Sequence, residues 1–368
     1  MNVLQVNKLY YPEVGGVEQV VQDIAEGLAD SHTSRVLAAR PRGLGRHEHH
    51  NGVEVTKTSS LGVVMSAPLA PTFPVHLRST ARAADIVHHH LPNPLSTVSQ
   101  LTAGTGKAPV VATYHSDIVR QATAFRVYRP LLERFLDRVD RITVTSQRLL
   151  DNSDVLTPYT EKCEVVPLSV DLDAVDTEDP AELDVDTNGP IVLCVGRLNY
   201  YKGVEYLIDA MAEVEATLLV VGDGERRTAL EQRARERGVT DRVRFLGYLP
   251  EPQLAGAYRV ADLFVLPSIE PSEAFGIVQL EAMARETPVV NTSLPTGVPW
   301  VSQDRETGLT VPPRDVSAMA DAITTLLDDD ERRQRYAKRA RERVEQHFTR
   351  DQMLAKVEEI YREELAAQ

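Results

Sequence analysis

The chain has 368 residues, of which 42% are hydrophobic and 26% are charged, and its formal net charge is −14 at pH 7. This composition is that of a folded globular protein of two or three domains, and it excludes a disordered or fibrous chain. The acidic balance also excludes a general nucleic-acid-binding surface, because such a surface needs a stripe of positive charge to displace counterions.

Short apolar segments alternate with amphipathic helical segments along the whole chain. In the first half they predict strands at 3–9, 34–39, 53–58, 85–90, 110–115, 141–145 and 164–168. In the second half they predict strands at 191–195, 217–221, 243–246, 263–266, 288–291 and 309–311. Strands that alternate with helices form mostly parallel sheets that are covered on both faces. We therefore predict an α/β fold with two doubly wound, Rossmann-like domains.

An acidic segment separates the two series of strands. Residues 170–190 contain few large apolar side chains and end in Gly-Pro, which is typical of a linker. Thr349 and Gln352 have the spacing of a capping box, which predicts that a last helix begins there. The first series of strands is thus expected to end at 169, and the second domain to begin at 191.

No segment is predicted to cross a membrane or to direct secretion. The longest charge-free apolar run, 61–77, carries three prolines and is shorter than the roughly 20 residues of a spanning helix. The first residues alternate like a strand and lack the basic and apolar regions of a signal peptide. Cys163 and Cys194 form neither a disulfide framework nor the spacing of a zinc site. We therefore expect a cytoplasmic protein.

Four motifs that suggest nucleotide or metal sites do not fit their patterns. The Gly-Thr-Gly-Lys sequence at 104–107 lacks the first glycine and the final Ser or Thr of a phosphate loop. The Gly-Asp-Gly sequence at 222–224 lacks the third glycine of a dinucleotide fingerprint. The Asp-x-Asp pairs at 171–173 and 184–186 lie in the acidic segment, and the histidines at 88–90 would alternate between the two faces of a strand. We expect no protein-bound metal and no other cofactor.

The segment 267–285 carries the first candidate site. A strand ends at 267, and a helix is predicted to start near Phe275 and Gly276, continuing through Ile277. A helix start offers free backbone N–H groups and the positive end of the helix dipole, which together bind an anion. Glu273 lies just before this point, where its carboxylate can accept hydrogen bonds from polyol hydroxyls, and Glu281 follows two turns later. The alternative is that Glu273 is a charge at a helix start and Glu281 a surface residue.

A second candidate site follows the strand predicted at 191–195. Arg197 and Lys202 lie in the loop 196–203, at the carboxyl end of a strand, which is where doubly wound sheets bind ligands. Arg197 can offer a planar fork to phosphate oxygens, and Lys202 a compact charge. Together with the helix start, these two cations would form a pyrophosphate site that needs no metal and that stabilises a diphosphate leaving group. The alternative is a solvated turn.

These segments resemble one family. The sequences 196–203, the Glu273–Glu281 spacing and the 288–290 and 308–313 stretches are similar to family 4 of the retaining nucleotide-sugar glycosyltransferases. The resemblance implies the GT-B fold, in which two Rossmann-like domains face a cleft and the last helix returns to the first domain. It therefore implies an acceptor-side domain of 1–169 with 348–368, a linker of 170–190, and a nucleotide-sugar-binding domain of 191–347.

The resemblance also implies roles for residues of the second domain. Arg197 and Lys202 would hold the donor diphosphate, and Glu281 would bind the ribose hydroxyls. The donor sugar would be held by the Glu273 carboxylate and by the backbone amides of Phe275, Gly276 and Ile277. Glu273 is thereby also a candidate catalytic residue.

In the first domain, the resemblance points to one loop and one histidine. Gly15-Gly16 would lie close to the diphosphate and the acceptor. His115, at the end of the strand predicted at 110–115, matches the family histidine beside the transferred sugar and is the second catalytic candidate. The alternative is a histidine that only packs at the strand end. Trp300 stands where many family members have a glutamate, so we assign no role to it.

The resemblance implies a retaining hexosyltransferase that uses a nucleoside diphosphate sugar and a glycan or lipid-linked acceptor. The sequence Leu-Pro-Thr-Gly-Val-Pro at 294–299 is similar to a mannosyl- or rhamnosyltransferase subgroup, so GDP-mannose is the first donor to consider. Two alternatives stay open, a GT-B sugar-nucleotide epimerase and a catalytically silent protein that binds nucleotide sugars.

The segment 118–141 suggests a further contact. It carries six arginines against three acidic residues, interleaved with apolar side chains. The simpler interpretation is an amphipathic helix that packs on the first sheet with its basic side exposed. The alternative is a patch that docks on anionic lipid at the inner face of the cell membrane and presents a lipid-linked acceptor.

Overall fold

The computed structural model describes residues 1–13, 15–64, 67–119, 122–183, 185 and 189–368. The chain forms two compact units, one of Met1–Leu168 with Asp351–Gln368 and the other of Ser169–Arg350. Each unit contains one large sheet with helices between its strands, which confirms the predicted α/β class.

The first unit contains an eight-stranded sheet. Its strands are β1 (Asn2–Val6), β2 (Thr33–Ala39), β3 (Arg46–His50), β4 (Val53–Thr58), β7 (Ile86–Leu91), β8 (Val110–Tyr114), β9 (Arg141–Val144) and β10 (Cys163–Val165), while β5 (Val63–Val64) and β6 (Ala67–Pro68) form a separate hairpin. The order is β10-β9-β8-β7-β1-β2-β4-β3, and all neighbours are parallel except β3 and β4. The chain thus reverses its direction across the sheet between β1 and β7, which makes their carboxyl ends a topological switch point.

Within the described residues, six helices accompany this sheet. They are α1 (Gly16–Gly27), α2 (Phe73–Ala81), α3 (Pro94–Ala103), α4 (Ala122–Leu136), α5 (Gln147–Asn152) and the last helix, α14 (Arg350–Ala366). The apolar face of α1 packs against the sheet, and Val21 lies in one cluster with Val36 of β2 and Val55 of β4. Burial of such faces supplies most of the stability of short helices, which are marginal in isolation.

The sequence did not predict β3, whose residues are mostly charged or histidine. It pairs antiparallel with β4 at the edge of the sheet, and its side chains are exposed or half-buried. A polar edge strand has no apolar alternation to reveal it, and its charges discourage pairing with another chain.

The second unit contains a six-stranded, fully parallel sheet. Its strands are β11 (Ile191–Val195), β12 (Thr217–Val221), β13 (Val243–Gly247), β14 (Leu263–Leu266), β15 (Val289–Thr292) and β16 (Gly308–Val311). Its helices are α6 (Leu172–Thr177), α7 (Val204–Ala210), α8 (Arg227–Arg237), α9 (Glu251–Val260), α10 (Ile277–Ala284), α11 (Val298–Val301), α12 (Val316–Asp328) and α13 (Asp330–His347). The order β13-β12-β11-β14-β15-β16 places the switch point between β11 and β14.

The described part of the acidic segment belongs to the second unit. Asp171 caps α6, because its carboxylate accepts a hydrogen bond from the Ala174 backbone N–H at 3.0 Å. Glu178 forms a two-bonded ion pair with Arg285, at 2.8 Å and 2.6 Å. The acidic residues that suggested a linker thus make specific contacts in this unit. Asp184 and Asp186, the second Asp-x-Asp pair, lie outside the described residues.

The three histidines of β7 are all buried. His89 points to the face opposite His88 and His90, and its ring packs edge-on against Phe135 with centroids 5.2 Å apart. Within the described residues neither of its ring nitrogens makes a hydrogen bond of good geometry. Burial lowers its pKa to about 3, although the Gln100 side chain opposes this shift. No group of three or more His, Cys, Asp or Glu side chains that could hold a metal ion occurs in the described ranges. Within the same ranges, every helix is too short or too polar to span a bilayer.

We predict that His89→Leu stabilises the first unit. At pH 7 the free energy of unfolding should rise by about 1–3 kcal/mol, because two buried polar atoms without partners are removed. At pH 5.5 the difference in the free energy of unfolding between the variant and the wild type should be larger by about 1 kcal/mol. Unfolded His89 takes up a proton below about 6.5, whereas folded His89 stays neutral down to about 3, so this residue makes the wild type lose stability as the pH falls through this window. The variant lacks this contribution, while the loss from the other buried histidines is common to both proteins.

Urea unfolding at the two pH values measures both effects. His49→Leu, at an exposed position of β3, is the matched control and should change the free energy of unfolding by less than about 0.5 kcal/mol. A gain at His89 that does not depend on pH would contradict the assignment of a neutral buried ring.

Candidate active site

Two loops meet at the carboxyl edge of the second sheet, where β11 and β14 end. A Cβ atom at Gly203 would lie 2.1 Å from the carbonyl oxygen of Pro267, so only glycine allows the loop after β11 to approach the loop after β14. Gly203 also has φ +65°, a left-handed conformation that other residues adopt at a cost. On the other side of β11, a Cβ atom at Gly222 would lie 2.1 Å from the carbonyl oxygen of Gly196. Glycines therefore set the spacing of the loops that carry the predicted site.

An ion pair joins these two loops. The ammonium of Lys202 lies 2.6 Å from the Glu273 carboxylate, which also accepts a hydrogen bond from the Ser268 hydroxyl at 2.9 Å. Burial alone would lower the pKa of Lys202, but the Glu273 charge outweighs it and holds that pKa above its usual value. The sequence assigned Lys202 and Glu273 to different groups of a ligand. The structure shows that they contact each other directly.

Arg197 lies two residues beyond the end of β11, and it is exposed. No hydrogen-bond or ion-pair partner of its guanidinium is found in the part of the chain that the structure describes. Its backbone is fixed, since its carbonyl oxygen accepts a bond from the Asn199 N–H at 2.7 Å. Arg197 thus offers five unused N–H donors at the switch point of the sheet.

The loop after β14 ends in the start of α10. Gly276 caps this helix with φ +74°, and the helix begins at Ile277, one residue beyond the predicted start. The backbone N–H groups of Phe275, Gly276 and Ile277 have no acceptor within the described ranges. Free N–H groups and the positive end of a helix dipole are the features that bind anions, and here they follow the loop that carries Glu273.

Aromatic side chains pack against the loop that precedes α10. The Phe275 ring is 3% exposed and packs edge-on against Trp300 and Phe348, with centroids 6.2 Å and 6.0 Å apart. The Thr296 hydroxyl donates to the Glu273 carbonyl oxygen at 2.8 Å. Trp300, which had no role assigned from the sequence, therefore packs against the loop that carries the free N–H groups.

Glu281 is half-buried on α10 and is oriented by a residue that the sequence did not single out. The Tyr258 hydroxyl donates to the Glu281 carboxylate at 2.7 Å, and burial together with the Glu281 charge raises the Tyr258 pKa. The Arg285 guanidinium stacks over the Tyr258 ring at 5.0 Å. Tyr258 lies on α9, within an ordinary helical sequence, so nothing in the pattern marked it.

The remaining predicted residues belong to the first unit. His115 follows β8, is 6% exposed, and donates its backbone N–H to the Leu91 carbonyl oxygen at 2.9 Å. Burial, assisted by the charge of Lys8, lowers the pKa of His115 to about 3, so the ring is neutral at pH 7. Gly15 precedes α1 in an extended conformation, and the Glu18 carboxylate occupies the position of a Cβ atom at Gly15. Gly16 has no atom near the corresponding position.

Two protein-family models match two consecutive parts of the chain. Residues 14–174 match the family model described as Glycosyltransferase Family 4, and residues 175–343 match the model described as Glycosyl transferases group 1. The chain is 31% identical to the O-antigen chain mannosyltransferase C of Escherichia coli, over 98% of each protein. It is 33% identical to a D-rhamnosyltransferase of Pseudomonas aeruginosa, over 95% of this chain and 92% of that one.

A solved structure has the same fold along the whole chain. The sucrose-phosphate synthase of Thermosynechococcus elongatus superimposes with a TM-score of 0.81 and 24% identity, over 100% of both chains.

We predict that Glu273→Gln destabilises the second unit by about 3 kcal/mol, because it leaves the largely buried Lys202 ammonium without its counter-charge. Glu270→Gln, in the same loop, is the matched control. Its carboxylate is more exposed and lies 3.4 Å from Arg314, so the loss should stay below about 1 kcal/mol.

Urea unfolding of the two variants makes this comparison. The double variant Lys202→Met with Glu273→Gln should recover at least half of the loss, since it removes the unpaired charge. Equal losses for Glu273→Gln and Glu270→Gln would show that the ion pair contributes little.

Proposed function

Because this chain belongs to the GT-B glycosyltransferases of family 4, we propose that it transfers a hexose from a nucleoside diphosphate sugar to an acceptor hydroxyl with retention of the anomeric configuration. The observation that carries the proposal is the arrangement around β11 and α10. The unpartnered Arg197 guanidinium, the Lys202 ammonium and the free N–H groups of 275–277 lie on two loops that contact each other. This arrangement suits a diphosphate.

The proposed reaction breaks the bond between the anomeric carbon and the diphosphate oxygen. The oxygen keeps the electron pair, and the growing negative charge is stabilised by Arg197, by Lys202 and by the start of α10. The acceptor hydroxyl then attacks the same face of the sugar and passes its proton to the departing phosphate. The charge compensation that a metal ion gives in other enzymes comes here from these side chains and amides, so we propose a reaction that needs no protein-bound metal.

Glu273 and Lys202 are proposed to act together. In the absence of donor, each neutralises the other across 2.6 Å. When a diphosphate binds, Lys202 can share its three donors between Glu273 and the phosphate oxygens. The Glu273 carboxylate then accepts hydrogen bonds from hydroxyls of the donor sugar, which the Phe275, Gly276 and Ile277 amides also contact. Glu281, oriented by Tyr258, is proposed to bind the ribose hydroxyls.

The first unit is proposed to contribute three residues to the reaction, Gly15, Gly16 and His115. We propose that the Gly15-Gly16 loop lies close to the diphosphate and the acceptor. Gly16 has open space at the position of a Cβ atom, whereas the Glu18 carboxylate lies beside Gly15. His115 is neutral, so it cannot neutralise charge, and we assign it hydrogen bonding to the transferred sugar.

The names of the relatives support the choice of substrates. One is a mannosyltransferase of an O-antigen chain and another is a D-rhamnosyltransferase. We therefore propose mannose from GDP-mannose as the first donor to test, and a glycan or lipid-linked glycan as acceptor.

We predict that Arg197→Ala lowers kcat/KM for the donor by about 10- to 100-fold. Hydrogen bonds from a guanidinium to phosphate contribute about 1.5–3 kcal/mol, and 1.4 kcal/mol corresponds to a factor of ten in rate. Arg244→Ala is the matched control, since Arg244 is an exposed arginine on β13. The variants are compared in a transfer assay with GDP-mannose and an acceptor glycan.

The same assay tests the alternatives. Nuclear magnetic resonance of the product gives its anomeric configuration, and an inverted product would refute retention. Incubation with the donor alone would interconvert two sugar nucleotides if the protein were an epimerase. Unchanged kcat/KM in Arg197→Ala would count against the proposed diphosphate site.

We further propose that the exposed face of α4 contacts an anionic membrane surface. Its buried face packs on the first sheet through Tyr128, Leu132, Phe135 and Leu136. Opposite lie Arg126, Val127, Pro130, Leu131 and Arg134, which fall within roughly 140° of the helix circumference. Val127 is 76% exposed. Arginines that alternate with exposed apolar side chains suit the interface between lipid headgroups and acyl chains.

The structure separates the arginines of this segment into two groups. Arg129 is paired with Glu133, and Arg141 with three glutamates, among them Glu364 at 2.8 Å. Arg126, Arg134 and Arg138 have no ion-pair partner within the described ranges and are exposed. Arg120 lies outside the described residues. The charge available to a lipid surface is thus carried by these three side chains.

We predict that the double variant Arg126→Glu with Arg134→Glu lowers binding to anionic vesicles by at least roughly 30-fold, because each arginine near such a surface contributes about 1 kcal/mol. The paired substitutions Arg235→Glu and Arg244→Glu, at exposed positions of the second unit, make the same change in net charge and should have a much smaller effect. Vesicle sedimentation at low salt measures both. Wild-type protein that does not sediment with anionic vesicles would refute the contact.

A further inference from the structure

A continuous chain of buried hydrogen bonds connects His115 to the last helix of the protein. From His115 Nε2 the contacts run to His90 Nδ1 at 3.0 Å, and from His90 Nε2 to Gln5 Oε1 at 2.9 Å. The Gln5 Nε2 amide donates to the Tyr361 hydroxyl at 2.9 Å. Gln5, His90 and Tyr361 are at most 1% exposed. This series of hydrogen bonds lies entirely within the first unit. It joins the residue after β8 to β7, β1 and α14.

The series of hydrogen bonds continues from Tyr361 into the sheet. The Tyr361 hydroxyl lies 2.6 Å from His88 Nδ1, and His88 Nε2 lies 2.7 Å from the Thr113 hydroxyl. The Thr113 hydroxyl in turn lies 2.6 Å from that of Thr143. Tyr361 is therefore held on two sides, by Gln5 and by His88.

The orientation of the Gln5 amide sets the direction of the bonds between Gln5 and His115. Its oxygen faces His90 Nε2, so that nitrogen must carry the proton and His90 Nδ1 must accept. The proton between the two histidines then resides on His115 Nε2, and His115 Nδ1 is unprotonated. A reversed amide would reverse each donor in turn and place the proton on His115 Nδ1. The orientation of one buried amide thus selects the tautomer of a histidine two contacts away.

Burial keeps the rings in the neutral form that this argument requires. It lowers the pKa values of His88 and His115 to about 3, and that of His90 well below its usual value. The Nδ1 atom of His115 has no hydrogen-bond partner within the described ranges, and it is not among the partnerless atoms that are cut off from solvent. His115 therefore presents a lone pair that can still be reached from outside.

We propose that Gln5 and Tyr361 are positioning residues that hold His115 as the Nε2-protonated tautomer, so that its Nδ1 lone pair accepts a hydrogen bond from a hydroxyl of the transferred sugar. The inference rests on the proposed function for the identity of the hydroxyl, but the tautomer follows from the first unit alone. Tyr361 stabilises the productive orientation of Gln5 by accepting its N–H. The last helix is in this way a functional part of the site.

The tautomer is measured directly on the wild-type protein, without substrate. Proton–nitrogen correlation spectra of protein labelled with ¹⁵N-histidine distinguish the protonated from the unprotonated ring nitrogen, and His115→Asn assigns the signal. We expect His115 to carry its proton on Nε2. A proton on Nδ1, or an even mixture of the two forms, overturns the proposal.

Two substitutions of Gln5 separate positioning from structure. Gln5→Met removes the acceptor for His90 Nε2–H, so His90 should move its proton to Nδ1 and force His115 into the Nδ1-protonated form. We expect kcat to fall about tenfold and the donor KM to change less than twofold. Gln5→Glu still accepts from His90, so it should retain the wild-type tautomer and most of kcat although it also disturbs the core. Equal losses of kcat in the two variants would show a merely structural role and overturn the proposal.

Tyr361→Phe tests the other end of the chain. It removes only the hydroxyl, so the Gln5 amide loses the contact that fixes its orientation, and we expect a mixture of His115 tautomers with a two- to fivefold lower kcat. Tyr159→Phe is the matched control, because its hydroxyl bonds to Asp137 and the Glu133 carbonyl and has no link to His115. A pure wild-type tautomer in folded Tyr361→Phe would refute the role of Tyr361. Wild-type protein without transferase activity would overturn the proposed function and the role of Nδ1, whereas the spectra would still decide the tautomer.

Discussion

The second unit depends on the close approach of two backbone segments at the carboxyl edge of its sheet. Gly203 allows the loop after β11 to contact the carbonyl oxygen of Pro267, and this contact brings Lys202 within 2.6 Å of Glu273. A buried ion pair is stable only when both partners are present, so the two loops hold each other in place. The amides at the start of α10 follow Glu273 on one of these two loops, and Arg197 lies on the other.

The first unit uses burial in a different way. The histidines of β7 and His115 lose their ability to ionise, which makes them suitable for hydrogen bonds of fixed direction rather than for charge. His89 shows the cost of placing such rings in a core, since neither of its nitrogens makes a hydrogen bond of good geometry within the described part of the chain. On the other face, Gln5 and Tyr361 satisfy the rings of His88 and His90, and they connect a sheet interior to its carboxyl edge.

Within the described residues, some arginines of this acidic protein have no carboxylate partner. Most arginines of the described residues are matched with carboxylates, as Arg285 is with Glu178 and Arg141 with Glu364. Arg197 at the end of β11 and the arginines on the exposed face of α4 are exceptions within those residues. In a chain with a net charge of −14, these positions are where anionic ligands would be attracted.

The sequence by itself determined the α/β class, the two series of strands and the loops that follow β11 and β14, because apolar periodicity and glycine spacing are local signals. It missed β3, whose polar edge position leaves no apolar alternation. Only the tertiary structure decided that Lys202 pairs with Glu273, that Tyr258 orients Glu281, and that Tyr361 reaches His115 through Gln5. Those contacts join residues far apart in the chain, up to 356 positions for Gln5 and Tyr361, and no local pattern records which side chains folding brings together.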